Sequence, residues 1–216
     1  MPARKRKTQS TPKSKSTTKR TSKNAPKSTS SSRTGKSDLV KFREEFAALK
    51  ASLPKGQPVP AISVRQPWAT MMLWIGKDIE NRSYWPFQYR GPIVLHAART
   101  PFDQDTAEAA IKRARADGAT DDELWWITET GYDPDVIAFG AIVGVGILDD
   151  VVASSGKVPK NHPILNSPWA NPDAGFWLHL SEMFPVNPVP WKGAVGLFKV
   201  PYEVVQGLTL SELLDA

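Results

Sequence analysis

Apolar residues recur at helical spacing near the start of the foldable part of the chain. They fall three or four positions apart, which places them on one face of a helix: Phe42, Phe46, Leu49 and Leu53. Asp38 suits the N-cap position, and Pro54 cannot continue a helix. The pattern therefore predicts a helix from Asp38 to about Lys50 whose apolar face packs on the domain.

After a linker marked by proline and glycine, short apolar segments predict several strands and one buried helix. Ile62 and Val64 alternate with their neighbours, as in a strand with one buried face. Pro67 then opens an apolar run that is too continuous for an alternating strand, and Gly76 follows it. A short buried helix is therefore expected from Pro67 to Gly76. Further strands are predicted over residues 78–84, 92–98, 137–148, 176–180 and 194–200.

Residues 101–135 interrupt the succession of strands and are interpreted as a helical insertion. Residues 104–117 are polar and rich in alanine, which predicts a helix. A second helix is expected from Asp121 to about Thr130. The adjacent residues Trp125 and Trp126 would lie on this second helix.

The glycine pattern and the short strands together indicate a fold class. Gly140, Gly144 and Gly146 interrupt the apolar strand predicted over 137–148, and such glycines are typical of bulges or sharp curvature. Short strands joined by turns, with one helix between the first two, favour an α+β fold over a doubly wound sheet. The expected architecture is a small mixed β-barrel with flanking helices.

Charge divides the chain into two parts. Residues 1–38 hold 12 of the 28 lysines and arginines and one acid, Asp38, which gives a net charge of +11. The other 16 cationic and 21 acidic residues give residues 39–216 a net charge of −5. Residues 1–37 contain no aromatic or branched aliphatic side chain, so this segment is predicted to be disordered. The expected organisation is a disordered basic tail over 1–38, a helix and linker over 39–60, the barrel domain over 61–202 and a C-terminal segment over 203–216.

The tail has three open interpretations. It could bind RNA, DNA or another polyanion through charge alone, or it could serve only to keep the protein in solution. In a eukaryote, residues 4–7 would act as a nuclear localisation patch. Because the basic start is not followed by an apolar segment, the protein is expected inside the cell, in the cytoplasm or, for a eukaryote, in the nucleus.

Composition excludes several classes of function. The longest apolar run, residues 136–148, is 13 residues long, which is short of the roughly 20 residues needed to cross a bilayer. The chain has no cysteine, and its three histidines are far apart in sequence, so neither a thiolate site nor a metal site is expected. No glycine-rich phosphate loop opens a helix, so no nucleotide cofactor is expected either.

The most informative segment for chemistry is the run of polar residues after Gly76. It places four charged residues and an amide close together where a buried helix meets a strand: Lys77, Asp78, Glu80, Asn81 and Arg82. Charges at such a junction need partners or a ligand. Lys77 and Arg82 suit a phosphate, and Glu80 suits a role as acceptor or base. The alternative is a network of ion pairs that closes the barrel, and both interpretations stay open.

Sequence blocks between Ala61 and about Val200 carry a family resemblance. In chain order these blocks lie at residues 63–69 (Ser-Val-Arg-Gln-Pro-Trp-Ala), 76–82 (Gly-Lys-Asp-Ile-Glu-Asn-Arg), 89–97, 140–145, 175–177 and 192–197. In composition and order they resemble the ASCH domain, the activating-signal-cointegrator homology domain. The resemblance implies a PUA-like β-barrel that binds RNA or another nucleic acid or nucleotide, and no membrane partner.

The same resemblance implies two enzyme alternatives. Some ASCH-like proteins hydrolyse N4-acetylcytidine with a Lys-x-x-Thr arrangement, and here Lys77 matches the lysine while Glu80 stands where that threonine would be. Others are ribonucleases, for which Lys77 and Glu80 would act as acid and base while Arg82 holds a phosphate. A third alternative is a protein-interaction module that uses Trp125 and Trp126.

Residues around the charged segment complete the predicted ligand site. Trp68 and Trp85 could stack on an unpaired base, and Arg90 could line the same cleft. His96 lies on an apolar strand and is expected to be a core histidine. The predicted ligand-binding residues are Lys77, Glu80, Asn81, Arg82, Trp68, Trp85 and Arg90, with Lys77 and Glu80 as the catalytic pair if the protein is an enzyme.

Overall fold

The computed structural model describes residues 36–128, 131–132, 137–156 and 158–215. The basic tail therefore lies outside the described residues, apart from the first turn of α1. The helices are α1 (Lys36–Ser52), α2 (Trp68–Trp74), α3 (Gln104–Ala116) and α4 (Tyr202–Gly207), with 3-10 turns at Pro163–Asn166 and Glu212–Asp215. The strands are β1 (Val59–Val64), β2 (Ile79–Arg82), β3 (Gly91–Ala97), β4 (Ile127–Thr128), β5 (Gly131–Tyr132), β6 (Ala141–Ala153), β7 (Phe176–Pro190) and β8 (Leu197–Val200).

Six strands form one mixed sheet in the order β2-β7-β6-β3-β1-β8. β1 and β3 are parallel, which the intervening α2 and β2 permit, and the other neighbours are antiparallel. β4 and β5 form a separate two-stranded hairpin. The mixed α and β composition is confirmed, but the expected closure into a barrel is not seen, because β2 and β8 are the edges of this sheet.

The open sheet is nevertheless strongly curved. β2 and β1 are separated by three strands in the sheet order, which in a flat sheet would place them about 19 Å apart. Instead, Arg82 on β2 donates a hydrogen bond from Nη2 to the carbonyl oxygen of Ser63 on β1 at 2.6 Å. The β2 edge therefore bends round towards β1 and leaves a seam between them, which one side chain bridges.

Bulges between β6 and β7 help to produce this curvature. The register between the two strands shifts in three places, and Gly144 and Gly146 lie at two of these shifts. A Cβ added at Gly146 would lie 2.3 Å from Met183 Sδ and 2.9 Å from the Ser181 carbonyl oxygen, so only glycine fits there. Gly144 and Gly146 were therefore correctly predicted to mark bulges, whereas Gly140 lies just before β6.

The apolar stripe of α1 packs on the sheet, as the sequence predicted. Phe46, Leu49 and Leu53 are buried, and the Phe42 and Phe46 rings lie 4.8 and 5.6 Å from the ring of Phe184 on β7. The helix begins at Lys36, two residues before the predicted cap. No helix within the described residues combines the length and apolar content that crossing a membrane requires.

Two predictions about regular structure were wrong. Residues 121–126 form turns and not a helix, and Ile127 and Thr128 enter the small hairpin; residues 129–130 lie outside the described ranges. Trp126 and Ile127 are each only 2% exposed and pack with the alanines of α3, which favours a bent chain over a straight helix. The strands predicted over 137–148 and 176–180 also have different bounds: β6 starts only at Ala141 and continues to Ala153, and β7 continues to Pro190.

His96 is a core histidine, as expected, and it predicts an acid response. His96 is 2% exposed, and burial lowers its pKa because it disfavours the charged ring. The hydrogen bond to the Trp191 carbonyl oxygen raises this pKa, and the charge of Arg99 lowers it, but burial has the largest effect. Below about pH 6.5 the unfolded chain therefore binds the proton more readily, so the free energy of unfolding falls as pH drops. In urea titrations, wild type should lose more stability between about pH 7.5 and pH 5 than His96→Gln. Parallel pH curves for the two proteins would contradict this assignment.

Candidate ligand-binding cleft

The charged segment takes its shape from the end of α2. Gly76 has a φ of 79°, which a glycine adopts without strain, and it turns the chain out of the helix. The Lys77 amide donates to the Met71 carbonyl oxygen at 3.1 Å, and β2 starts two residues later at Ile79. This turn separates Lys77 from the side-chain alternation of β2.

Lys77, Glu80 and Arg82 form a continuous chain of charges. Lys77 is 3% exposed, and its Nζ donates to the Ile79 carbonyl oxygen and to Glu80 Oε2, the latter at 3.2 Å. The other carboxylate oxygen, Oε1, lies 3.2 Å from Arg82 Nε. The third link is the bond from Arg82 to Ser63 described above, so the chain of charges crosses the seam of the sheet.

Burial sets the electrostatics of Lys77. It lowers the pKa of the ammonium, and the carboxylates of Glu80 and Asp78 oppose that effect. Glu80 also accepts the hydrogen bond that favours the charged form of the lysine. The charge of Lys77 therefore depends on Glu80, which makes this carboxylate the central group of the site.

A cleft of about 570 Å³ opens beside Lys77, Glu80 and Arg82, and all three residues line it. Four of its lining residues are cationic and one is a carboxylate, although residues 39–216 as a whole are net acidic. Its lining residues are Ser63, Arg65, Trp68, Lys77, Glu80, Asn81, Arg82, Ser83, Arg113, Trp169 and Asn171. The cleft is thus a local concentration of positive charge on an acidic domain.

Two of the four cations were not among the predicted site residues. Arg65 follows β1 and is exposed, and its charge contributes to lowering the pKa of Asp103. Arg113 lies on α3 and donates from Nε and Nη2 to the Pro168 carbonyl oxygen at 2.8 and 2.5 Å. Arg65 lies inside the sequence block at residues 63–69, whereas nothing in the sequence indicates that α3 reaches this cleft.

Asn81 and the two tryptophans build the wall of the cleft. Asn81 Nδ2 donates to the Trp169 carbonyl oxygen at 2.9 Å, and the Asn171 amide donates to Asn81 Oδ1 at 2.8 Å. Asn81 therefore holds the loop that carries Trp169 against β2. Trp68 is partly exposed and lines the cleft, whereas Trp169 is buried and donates from Nε1 to Asp117 at 2.9 Å.

The structure does not bring Trp85 and Arg90 to the cleft. Trp85 is 2% exposed and packs edge-on against Phe87, with the Arg82 guanidinium 5.7 Å from its ring centroid. A ligand therefore has no access to this ring. Arg90 instead pairs with Asp150 on β6 at 2.7 Å, and Asp150 also contacts His162 at 3.0 Å.

Behind the cleft, the side chains of Ser63 on β1 and His96 on β3 are hydrogen-bonded to each other. Ser63 Oγ lies 3.0 Å from His96 Nδ1, and His96 Nε2 lies 3.1 Å from the Trp191 carbonyl oxygen. Because a carbonyl only accepts, Nε2 carries the proton and donates to it, and the serine hydroxyl donates to Nδ1. Among the described residues no group of histidines and acids is arranged to hold a metal ion.

Both interpretations of the charged segment find support in these contacts. Glu80 and Arg82 do link the edge of the sheet across the seam, as an ion-pair network would. That network does not require Arg65, Arg113 and Trp68 to converge on an open cleft beside it. The additional cations and the partly exposed ring are features of a binding site for an anionic, planar ligand.

No model of a known protein family matches this chain, and no curated protein sequence matches it. The resemblance to the ASCH domain therefore depends on the motifs of this sequence.

Proposed function

We propose that the chain is an ASCH-like protein with a PUA-like sheet, and that it binds single-stranded RNA or a nucleotide in the cleft beside Lys77. One observation carries the proposal: four cationic side chains and a partly exposed tryptophan surround an open cleft on a domain that is otherwise acidic. Phosphate supplies the charge that such a cleft attracts, and a base supplies the flat surface that stacks on an aromatic ring.

The cleft residues divide into two roles in this proposal. Arg65 and Arg113 bind phosphate oxygens, since an arginine presents a planar fork of donors that matches them. Trp68 stacks on a base. Lys77, Glu80 and Arg82 form the charged floor, because Glu80 is ion-paired with both cations.

The geometry favours binding over hydrolysis. A general acid or base must reach the proton that it transfers, yet Lys77 is buried and bonded to Ile79 and Glu80. Glu80 is in turn engaged by both cations and carries no hydroxyl to act as a nucleophile. Lys77 and Glu80 therefore contribute to the shape and charge of the cleft and do not act as an acid and a base in it.

The basic tail adds affinity that does not depend on sequence. Its charge of +11 attracts any polyanion, and this attraction weakens steeply with salt. Binding at the cleft, which combines stacking with charge, should persist at salt concentrations where the contribution of the tail is small.

The test is the affinity of the full chain for a labelled single-stranded RNA, measured by fluorescence anisotropy across a salt series. Arg65→Ala and Arg113→Ala should each weaken binding about tenfold at about 0.3 M salt. Arg115→Ala is the matched control, because Arg115 lies on the same helix but pairs with Asp121 outside the cleft. It should leave the affinity unchanged.

Two outcomes would overturn the proposal. If Arg65→Ala and Arg113→Ala bind RNA with the same affinity as Arg115→Ala, the RNA does not bind in the cleft. A steep dependence of affinity on salt would then identify the basic tail as the binding segment. If gel analysis shows that wild type cuts the RNA while Lys77→Met does not, the protein is a hydrolase and the assignment of Lys77 to a static floor is wrong.

A further inference from the structure

A second cavity of about 890 Å³ lies on the other side of the Gly76–Asp78 turn. Five segments form it: the start of α1, the end of α2, the turns at 122–126, the middle of β7 and the C-terminal 3-10 turn. We call it the acidic groove and define it by Phe42, Trp74, Asp122, Trp125, Glu182 and Leu213. It is independent of the proposed nucleotide site, with which it shares only Lys77.

The groove exposes large apolar side chains. Trp125 is 54% exposed and Leu213 is 37% exposed, whereas the neighbouring Trp126 is buried in the core. Phe42 and Trp74 add partly exposed aromatic surface to the same cavity. A contiguous apolar surface of this kind on a water-exposed cavity is typical of a binding site.

The charges around the groove are opposite to those of the cleft. Four carboxylates line it, namely Asp78, Asp122, Glu123 and Glu182, and among the described residues that line it Lys77 is the one cation. The Lys77 ammonium is bonded to Ile79 and Glu80 and not to any of these four carboxylates. The groove therefore presents negative charge beside its apolar lining.

A strained bulge in β7 positions the carboxylate of Glu182. Glu182 has a φ of 45°, and among the described residues it is the one non-glycine with a positive φ. The bulge lies opposite Gly146, whose missing side chain leaves room for Met183 and the backbone of residues 181–182. This backbone costs stability, and it leaves Glu182 exposed at the groove wall.

We infer that the acidic groove binds a short cationic, amphipathic segment of a partner protein. An aromatic or leucine side chain of that segment contacts Trp125 and Leu213, and lysines or arginines on either side face Asp122 and Glu182. The chain's own residues 1–35 match the charge but not the lining, because they contain no aromatic, leucine, isoleucine or valine residue. Charge and apolarity together therefore select a partner segment over the tail.

The test is selection from a displayed library of short random peptides on the full-length protein. The library is first depleted on full-length Trp125→Ala/Glu182→Gln, which keeps the tail and the cleft, so peptides that bind those surfaces are removed. Peptides retained by wild type should combine lysine or arginine with an aromatic or leucine residue. Isolated peptides should lose about tenfold in affinity for each single variant.

Matched controls test the same residue types elsewhere. Tyr84→Ala removes an aromatic side chain that is 72% exposed outside the groove, and Glu203→Gln neutralises an exposed acid on α4. Neither should change the affinity of the selected peptides. The inference is overturned if the depleted library yields no peptide that prefers wild type, or if the retained peptides are acidic or lack an apolar residue. It is also overturned if the wild-type protein self-associates and Trp125→Ala abolishes this, since a second copy would then occupy the groove.

Discussion

Glu80→Ala is expected to lower the free energy of unfolding by about 3–5 kcal/mol, because it leaves the buried Lys77 ammonium without its counter-charge. Lys77 is 3% exposed and would keep only the Ile79 carbonyl oxygen as a partner. Arg82 would lose the carboxylate at 3.2 Å and keep its bond to Ser63. Urea unfolding at neutral pH measures the change directly.

The variants around this position separate charge from packing. Lys77→Met/Glu80→Ala should be less destabilised than the sum of its single changes, because it removes the buried charge as well as its partner. Glu203→Ala, at an exposed acid on α4, should change stability by less than about 0.5 kcal/mol. If Glu80→Ala costs no more than Glu203→Ala, then Glu80 does not hold the charge of Lys77.

The pH dependence of the same variant gives a second readout. The pKa of Lys77 in the folded protein is already below 10.5, and Glu80 is the largest influence that raises it. Without Glu80 the pKa of folded Lys77 falls further below 10.5. Between that pKa and 10.5 the unfolded chain holds the proton and the folded protein does not, so the loss of Glu80 makes this pH interval wider. Stability rises with pH in that interval. The deficit of Glu80→Ala relative to wild type should therefore be smaller at about pH 9.5 than at pH 7.

Local signals in the sequence were enough to predict the elements that they terminate or cap. The stripe of α1, Pro67 before α2 and Gly76 after it all act within a few residues, and the structure confirms each of them. Lys77 leaves the alternation of β2 for the same local reason. Interactions of this range are visible in a sequence because both partners lie within one turn of each other.

Elements that depend on distant partners were not predictable in the same way. β7 continues through Pro185 and Pro188 although proline usually ends a strand. β2 pairs with residues 176–179, and further along β7 a short bridge to residues 209–211 uses the carbonyl oxygen of Pro185 and the amide of Asn187. No bond of this bridge needs an N–H from Pro185, so proline is tolerated there. Thr120 and Glu123 do form reciprocal capping bonds, but burial of Trp126 bends the chain before a helix develops.

The candidate site shows the same division. Lys77, Glu80 and Arg82 lie on one turn and one strand, and the structure joins them through two ion pairs with Glu80 between the cations. Arg113 joins them from the insertion, which no local pattern could indicate. Trp85 follows the motif in sequence, yet its ring turns into the core, so nearness in the chain did not predict nearness to the cleft.

The open seam of the sheet explains why the cleft lies where it does. In a closed barrel β2 and β1 would share backbone hydrogen bonds, whereas here the side chain of Arg82 spans the gap. A gap bridged by side chains leaves room for a ligand and lines it with the bridging charges. The seam therefore provides both the space and the positive charge of the proposed site.

Gly175→Ala is expected to destabilise the protein by about 2–3 kcal/mol and to weaken ligand binding, because Gly175 packs closely against the backbone at the end of β2. An added Cβ would lie 2.2 Å from the Ser83 carbonyl oxygen and 3.0 Å from its carbonyl carbon. Both atoms belong to the backbone, so the strand end must move rather than a flexible side chain. Since Arg82 pairs with Phe176 here, the shift would displace the guanidinium that bridges to Ser63.

Gly207→Ala is the matched control for this substitution. Gly207 ends α4, and nothing lies within 4 Å of an added Cβ there, so alanine should be neutral or slightly stabilising. Urea unfolding and RNA anisotropy on the full chain measure both variants. The packing argument requires that Gly175→Ala lose stability and affinity together, since one displacement causes both. A Gly175→Ala protein with wild-type stability would mean that the end of β2 yields freely, and the seam could not then hold Arg82 in a fixed position.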